Sequence, residues 1–210
     1  MKTVMLVFGT RPEAIKMCPL VKELKKKEDI RVLVCVSGQH REMLDSVLNV
    51  FGVVPDYDLS VMKDNQNLFD ITSSILQRIK EVLIKAEPDL VLVHGDTSTA
   101  FSSALAAFYL RIPIGHVEAG LRSRSVYDPY PEEFNRRAIS VMAKYHFAPT
   151  DSARDNLLRE GVDNSCIYVT GNTSVDALNF TVRSDYSHRL LSECRDSKII
   201  LVTVHRRENI

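Results

Sequence analysis

A doubly wound α/β domain, with a mostly parallel sheet covered by helices, is the fold class this sequence predicts. Three observations predict it. Short apolar runs without polar alternation recur at residues 4–8, 31–36, 90–93 and 112–117, as strands buried on both faces require. Stretches of helical periodicity separate them, giving a repeated βαβα order. Polar or glycine-bearing clusters follow most of these runs, at what would be the carboxyl ends of strands.

The elements follow in order. The run 4–8 is broken by Gly9-Thr10-Arg11-Pro12, and Pro12 suits the first turn of a helix, where its missing N–H costs nothing. Glu13 favours the positive end of that helix, and Ile15, Leu20, Val21 and Leu24 supply its apolar stripe. A strand over 31–36 turns through Ser37-Gly38-Gln39-His40 into a helix ending near Gly52. Residues 55–67 read as loop or short extended chain, and 68–85 as a long amphipathic helix. Strand 90–93, an alanine-rich helix over 99–110, strand 112–117 and a helix over 131–144 come next. Short strands at 145–148 and 167–170 flank a helix capped by Thr150 or Asp151. One or two helices fill 174–194, and 199–204 reads as a last, almost purely apolar strand. That strand either joins the sheet or opens a second domain, because 172–210 is too short to make an α/β core alone.

Lys plus Arg and Asp plus Glu both number 27, so the balanced charge argues against a nucleic-acid or anionic-membrane footprint. No apolar run is long enough to span a bilayer and no signal-peptide pattern is present, which reads as a soluble, cytoplasmic protein. Cys18, Cys35, Cys166 and Cys194 are widely spaced and read as free thiols. No histidine or cysteine spacing suits a metal.

Five clusters can carry chemistry. Arg11 and Lys16, around a helix start, can grip an anion or simply be surface cations on a tight turn. Asp96, in His94-Gly95-Asp96-Thr97, can take a proton, or Asp96 or Thr97 can merely cap the next helix. Glu118 can be an acid or base, or a loop partner of Arg122 and Arg124. Glu132 and Glu133 open a helix whose dipole keeps acids ionised, and Glu133 is assigned the duller, structural role. His205, Arg206 and Arg207 suit an anionic ligand or a solvated strand end.

Taken together, Phe8-Gly-Thr-Arg-Pro-Glu-Ala-Ile-Lys16, Ser37-Gly-Gln-His-Arg-Glu-Met-Leu44, His94-Gly-Asp-Thr97, His116-Val-Glu-Ala-Gly-Leu-Arg-Ser123, Pro131-Glu-Glu-Phe-Asn-Arg136, Val169-Thr-Gly-Asn172 and Val204-His-Arg-Arg-Glu-Asn209 resemble the non-hydrolysing bacterial UDP-N-acetylglucosamine 2-epimerases. The resemblance implies the first half of a two-domain, GT-B-like fold. Residues 1–171 would form a Rossmann-like catalytic domain, and 172–210 the connection and first strand of a truncated nucleotide-binding domain. It also implies a homodimer that interconverts UDP-GlcNAc and UDP-ManNAc by expelling UDP, through 2-acetamidoglucal, with no cofactor. By the same resemblance Asp96, Glu118 and Glu132 handle protons and developing charge, while Arg11, Lys16 and His205 meet the sugar diphosphate. Gln39, His40, Arg206 and Arg207 match positions near a regulatory UDP-GlcNAc pocket. A nucleotide-sugar glycosyltransferase, a hydrolysing epimerase and a non-catalytic domain are the competing readings, and the 210 residues alone are expected to be inactive.

Overall fold

The computed structural model describes residues 1–38, 41–62, 65–194 and 197–202. Seven strands form one sheet: β1 (Lys2–Phe8), β2 (Ile30–Val36), β3 (Tyr57–Asp58), β4 (Leu90–His94), β5 (Ile114–Val117), β6 (Tyr145–Ala148) and β7 (Ile167–Val169). Their spatial order is β3-β2-β1-β4-β5-β6-β7, and every pairing is parallel. Eight α-helices accompany them among the described residues: α1 (Arg11–Leu24), α2 (Arg41–Phe51), α3 (Leu68–Ala86), α4 (Ser98–Tyr109), α5 (Glu132–Met142), α6 (Asp151–Arg159), α7 (Thr173–Thr181) and α8 (Arg189–Glu193).

The double winding is visible residue by residue. Met5, Val7, Leu33, Cys35, Val91 and Val93 point to one face, where Ile75, Ile79 and Leu83 of α3, alanines of α4 and Ile139 of α5 cover them. Val4, Leu6, Phe8, Val34, Val36 and Leu92 point to the other face, against Met17 and Val21 of α1, Leu44 and Leu48 of α2 and Ala177 of α7. A strand with alternate residues in two cores has no polar face, which explains the unbroken apolar runs. Cys18 and Cys35 are buried within these layers, and all four cysteines are free thiols.

The strand order reverses direction between β1 and β4, the switch point at which open parallel sheets leave a crevice beyond their carboxyl ends. The lips of that crevice are packed closely. A Cβ on Gly9, at the end of β1, would lie 1.9 Å from Ser37 Oγ and 2.5 Å from Thr99 Oγ1.

The 55–67 stretch, read as loop or short extended chain, holds β3, an edge strand of two residues paired with Cys35 and Val36. One expectation is corrected. The strand expected at 199–204 is not in the sheet over its described part. Residues 199–202 adopt no regular structure, and Ile200 and Leu201 are 85% and 92% exposed; Thr203 and Val204 lie outside the described residues. Apolar composition calls for a buried strand, but a strand also needs a neighbour to pair with, and β7 is where this sheet stops.

Candidate active site

The crevice is assembled from loops after β1, β4 and β5 and from the start of α5. Thr10 caps α1 and forms a reciprocal capping box with Glu13. Glu13 does more than cap. Its buried carboxylate accepts from the Gly9 and Thr10 N–H groups at 3.0 and 2.8 Å and from the Thr97 hydroxyl at 2.8 Å, joining the first loop to the β4 loop. Burial pushes the Glu13 carboxyl up despite these donors.

Thr97, not Asp96, caps α4, through Ala100 N–H at 3.0 Å. Asp96 is thereby free to face the crevice, with Arg136 Nη1 at 3.4 Å and its backbone carbonyl held by Asn135 Nδ2 at 2.7 Å. Burial raises the Asp96 carboxyl above the ordinary aspartate range; Arg136 opposes the shift, Glu132 and Glu118 add to it, and Lys16 again opposes it. These five side chains therefore form one electrostatic cluster.

Glu118 follows the last residue of β5 with φ at +63°, a left-handed conformation costly for a residue with a Cβ and characteristic of functional turns. Its Oε2 receives Lys16 Nζ from α1, lies 3.5 Å from Asn172 Nδ2 and 3.7 Å from His94 Nε2. The alternative pairing with Arg122 does not form. Arg122 instead makes a bidentate pair with Glu160 at 2.7 Å and donates to Ser140 Oγ at 2.9 Å. Two residues on, Gly120 (φ +85°) passes so near α6 that a Cβ would stand 2.2 Å from the Ala153 carbonyl oxygen.

The two adjacent glutamates of α5 have separate fates. Glu133 is fully buried and saturated, accepting from Ser123 N–H at 3.1 Å and Arg137 Nε at 2.7 Å, with Arg136 Nε at 3.4 Å. Glu132 has a buried Oε2 with no hydrogen-bond partner among the described residues. An unpaired buried acceptor is costly.

Two histidines beneath the cluster remain neutral. Burial, then Lys16, brings the His94 pKa down to about 3; burial first, opposed by a bond to Gly95, leaves His116 also at about 3. His116 Nε2–H donates to the Gly95 carbonyl at 2.7 Å and so fixes the turn that carries Asp96. Asp96, Glu118, Glu132 and Lys16 thus gather in one cluster. Arg11 opens α1 on the same lip, exposed to solvent. His94, Arg136 and Asn172 were not singled out from the sequence, although all three lie in the matched motifs; the signal for Arg136 is its place one helical turn after Glu132. Gln39, His40, His205, Arg206 and Arg207 lie outside the described residues.

An all-parallel sheet of this order, with carboxylates and cations gathered at its switch point, defines an α/β protein with a charged crevice above β1, β4 and β5. The chain belongs to the UDP-N-acetylglucosamine 2-epimerase family, whose model matches residues 22–210. It is 56% identical to the UDP-N-acetylglucosamine 2-epimerase of Bacillus subtilis over 99% of its own length and 54% of that protein. Among solved structures it resembles S. aureus MnaA in a co-structure with UDP (52% identical, TM-score 0.94, 100% of this chain and 56% of the other). It also resembles the Neisseria meningitidis UDP-GlcNAc 2-epimerase bound to UDP-GlcNAc (54% identical, TM-score 0.82, 84% and 48%). The chain therefore spans about half the length of the relatives it matches. Among the described residues no helix is long and apolar enough to cross a membrane, and no group of three or more His, Cys, Asp and Glu is placed to hold a metal ion.

Proposed function

We propose that this chain supplies the catalytic half of an enzyme that reversibly epimerises UDP-N-acetylglucosamine at C2 to UDP-N-acetylmannosamine. The observation that carries the reading is the cluster itself. Three carboxylates, one of them with its pKa raised by burial, share a crevice with Lys16 and Arg136. Removing and replacing a C2 proton on opposite faces needs at least two acid/base groups, and their protonation states must differ. Asp96, Glu118 and Glu132 are assigned these tasks jointly. As the C2 proton passes to one carboxylate, the C1–O bond breaks and its electron pair leaves with UDP, giving 2-acetamidoglucal. Protonation from the other face at C2 and return of UDP to C1 then complete the epimerisation. The sequence of steps is redox-neutral. Lys16, Arg11 and His205 are assigned to the departing diphosphate, where negative charge grows. Gln39, His40, Arg206 and Arg207 are assigned to a regulatory pocket for a second UDP-GlcNAc. Residues 1–171 are taken as the first domain and 172–210 as the connection into a second.

A homodimer is part of the same reading. Its support is an apolar groove of about 620 Å³ lined by Leu68, Phe69, Phe101, Tyr127, Tyr130 and Phe134. Phe69, Tyr127 and Tyr130 are 85%, 77% and 63% exposed, a patch that a second copy would cover.

The test is turnover of UDP-GlcNAc by the full-length protein in D2O. Deuterium at C2 of both UDP-sugars is the expected result. Free ManNAc with released UDP would replace epimerisation by hydrolysis, and transfer to an acceptor without C2 exchange would replace it by glycosyl transfer.

A further inference from the structure

Glu118 has more donors aimed at one oxygen than it can use. Lys16 Nζ, Asn172 Nδ2 and His94 Nε2 all approach Oε2, while Oε1 has no hydrogen-bond partner among the described residues. Lys16 occupies Oε2, and His94 Nε2 stands off at 3.7 Å, buried and without a hydrogen bond of its own. His94 is 4% exposed and ends β4, where its pairing with Val117 of β5 holds its Cα, so its ring is kept from water. A buried ring nitrogen left unpaired is a cost the fold would shed unless some state of the protein uses it.

Lys16 is the cation that Glu118 holds, and the proposed reading assigns it to the ligand's diphosphate. An ammonium that turns to a phosphate leaves Glu118 a buried carboxylate without its counter-ion, a penalised state. We propose that His94 is a positioning residue, the reserve partner that donates from Nε2 to Glu118 once a ligand phosphate has drawn Lys16 away. The inference rests on the epimerase reading only in so far as that reading supplies an anionic ligand. A neutral donor is the right kind of replacement. It holds the carboxylate in place through Oε2 and leaves Oε1 without a protein donor. It also requires the ring proton on Nε2, since a proton on Nδ1 would present a lone pair to the carboxylate.

Histidine-selective ¹H–¹⁵N NMR on this 210-residue chain at pH 7 reads both points. The expected spectrum has His94 neutral with its proton on Nε2. In Lys16→Met that proton moves downfield and exchanges more slowly with water, and adding Glu118→Gln reverses the move. Inorganic pyrophosphate added to the unaltered chain is a second route to the same shift, should Lys16→Met lose its native amide spectrum. A proton on Nδ1, or a His94 signal indifferent to Lys16 in a folded variant, overturns the proposal. In the full-length enzyme, His94→Phe should lower kcat by about 100-fold with KM little changed, as expected when a reacting group is misplaced. His94→Gln, whose amide nitrogen reaches the position of Nε2, should recover most of it. Equal losses in the two variants, both with native melting, would leave His94 a packing residue. The spectra do not depend on the reaction, so absence of C2 exchange in the parent would sink the epimerase reading and leave the His94 result standing.

Discussion

Glu13 and Thr97, 84 residues apart, meet through a 2.8 Å hydrogen bond that ties the turn after β1 to the turn after β4. The two lips of the crevice therefore act as one piece. Replacing Glu13 by Ala leaves the Gly9 and Thr10 N–H groups without their acceptor in a buried setting. The expected cost is about 3 kcal/mol in urea denaturation of this chain, and clearly less for Glu13→Gln, whose oxygen can still serve both. Equal stability of Glu13→Ala and the parent would remove the tie from the account.

Gly9→Ala forces a methyl group against Ser37 and Thr99, whose hydroxyls are hydrogen-bonded at 2.8 Å. Overpacking of this kind costs about 1–3 kcal/mol. Ser37→Ala removes the nearer atom, so the double variant should be more stable than Gly9→Ala alone, a sign that thermal melting reads directly.

Asp96→Asn should separate activity from stability. Because burial holds the Asp96 carboxyl above its ordinary range, the native state binds more protons than the unfolded chain between those two pKa values. Its contribution to stability is thus complete at low pH and is lost as pH rises through the raised value. The amide abolishes that slope. At pH 7 the variant should melt no more than about 2 °C below the parent chain, or above it, while kcat of the full-length enzyme falls by about 100-fold or more. Retained turnover would take Asp96 out of the proton-handling set.

Phe69→Glu changes a side chain that is 85% exposed in one copy, so the fold should be unaffected. In the full-length protein it should shift sedimentation from dimer toward monomer. Unchanged sedimentation would assign the groove at the start of α3 to something other than self-association.

The sheet was legible because burial on two sides leaves an unmistakable mark: Val4 to Phe8 alternate between two cores, so no position is polar. The cap of α6 was legible as Thr150 or Asp151, because one local residue decides it, and Thr150 takes it. What escaped depends on the strand order. Lys16 and Glu118 are 102 residues apart and become partners because β1 and β5 flank β4. Arg122, near Glu118 in sequence, goes to Glu160 because the left-handed turn at Glu118 sends the following chain toward α6. The contrast between Glu132 and Glu133 was expected in outline, but its cause, saturation of one and vacancy of the other, is purely three-dimensional.

The charge arithmetic of the crevice has a consequence for the whole protein. Asp96, Glu118 and Glu132 face Lys16 and Arg136, and that small assembly is already slightly negative before anything enters. A pyrophosphate-bearing guest arriving there meets neither a surplus of positive potential nor an idle ammonium. Part of the attraction that holds such a guest must therefore come from outside this group, and Lys16 can join it only by giving up Glu118.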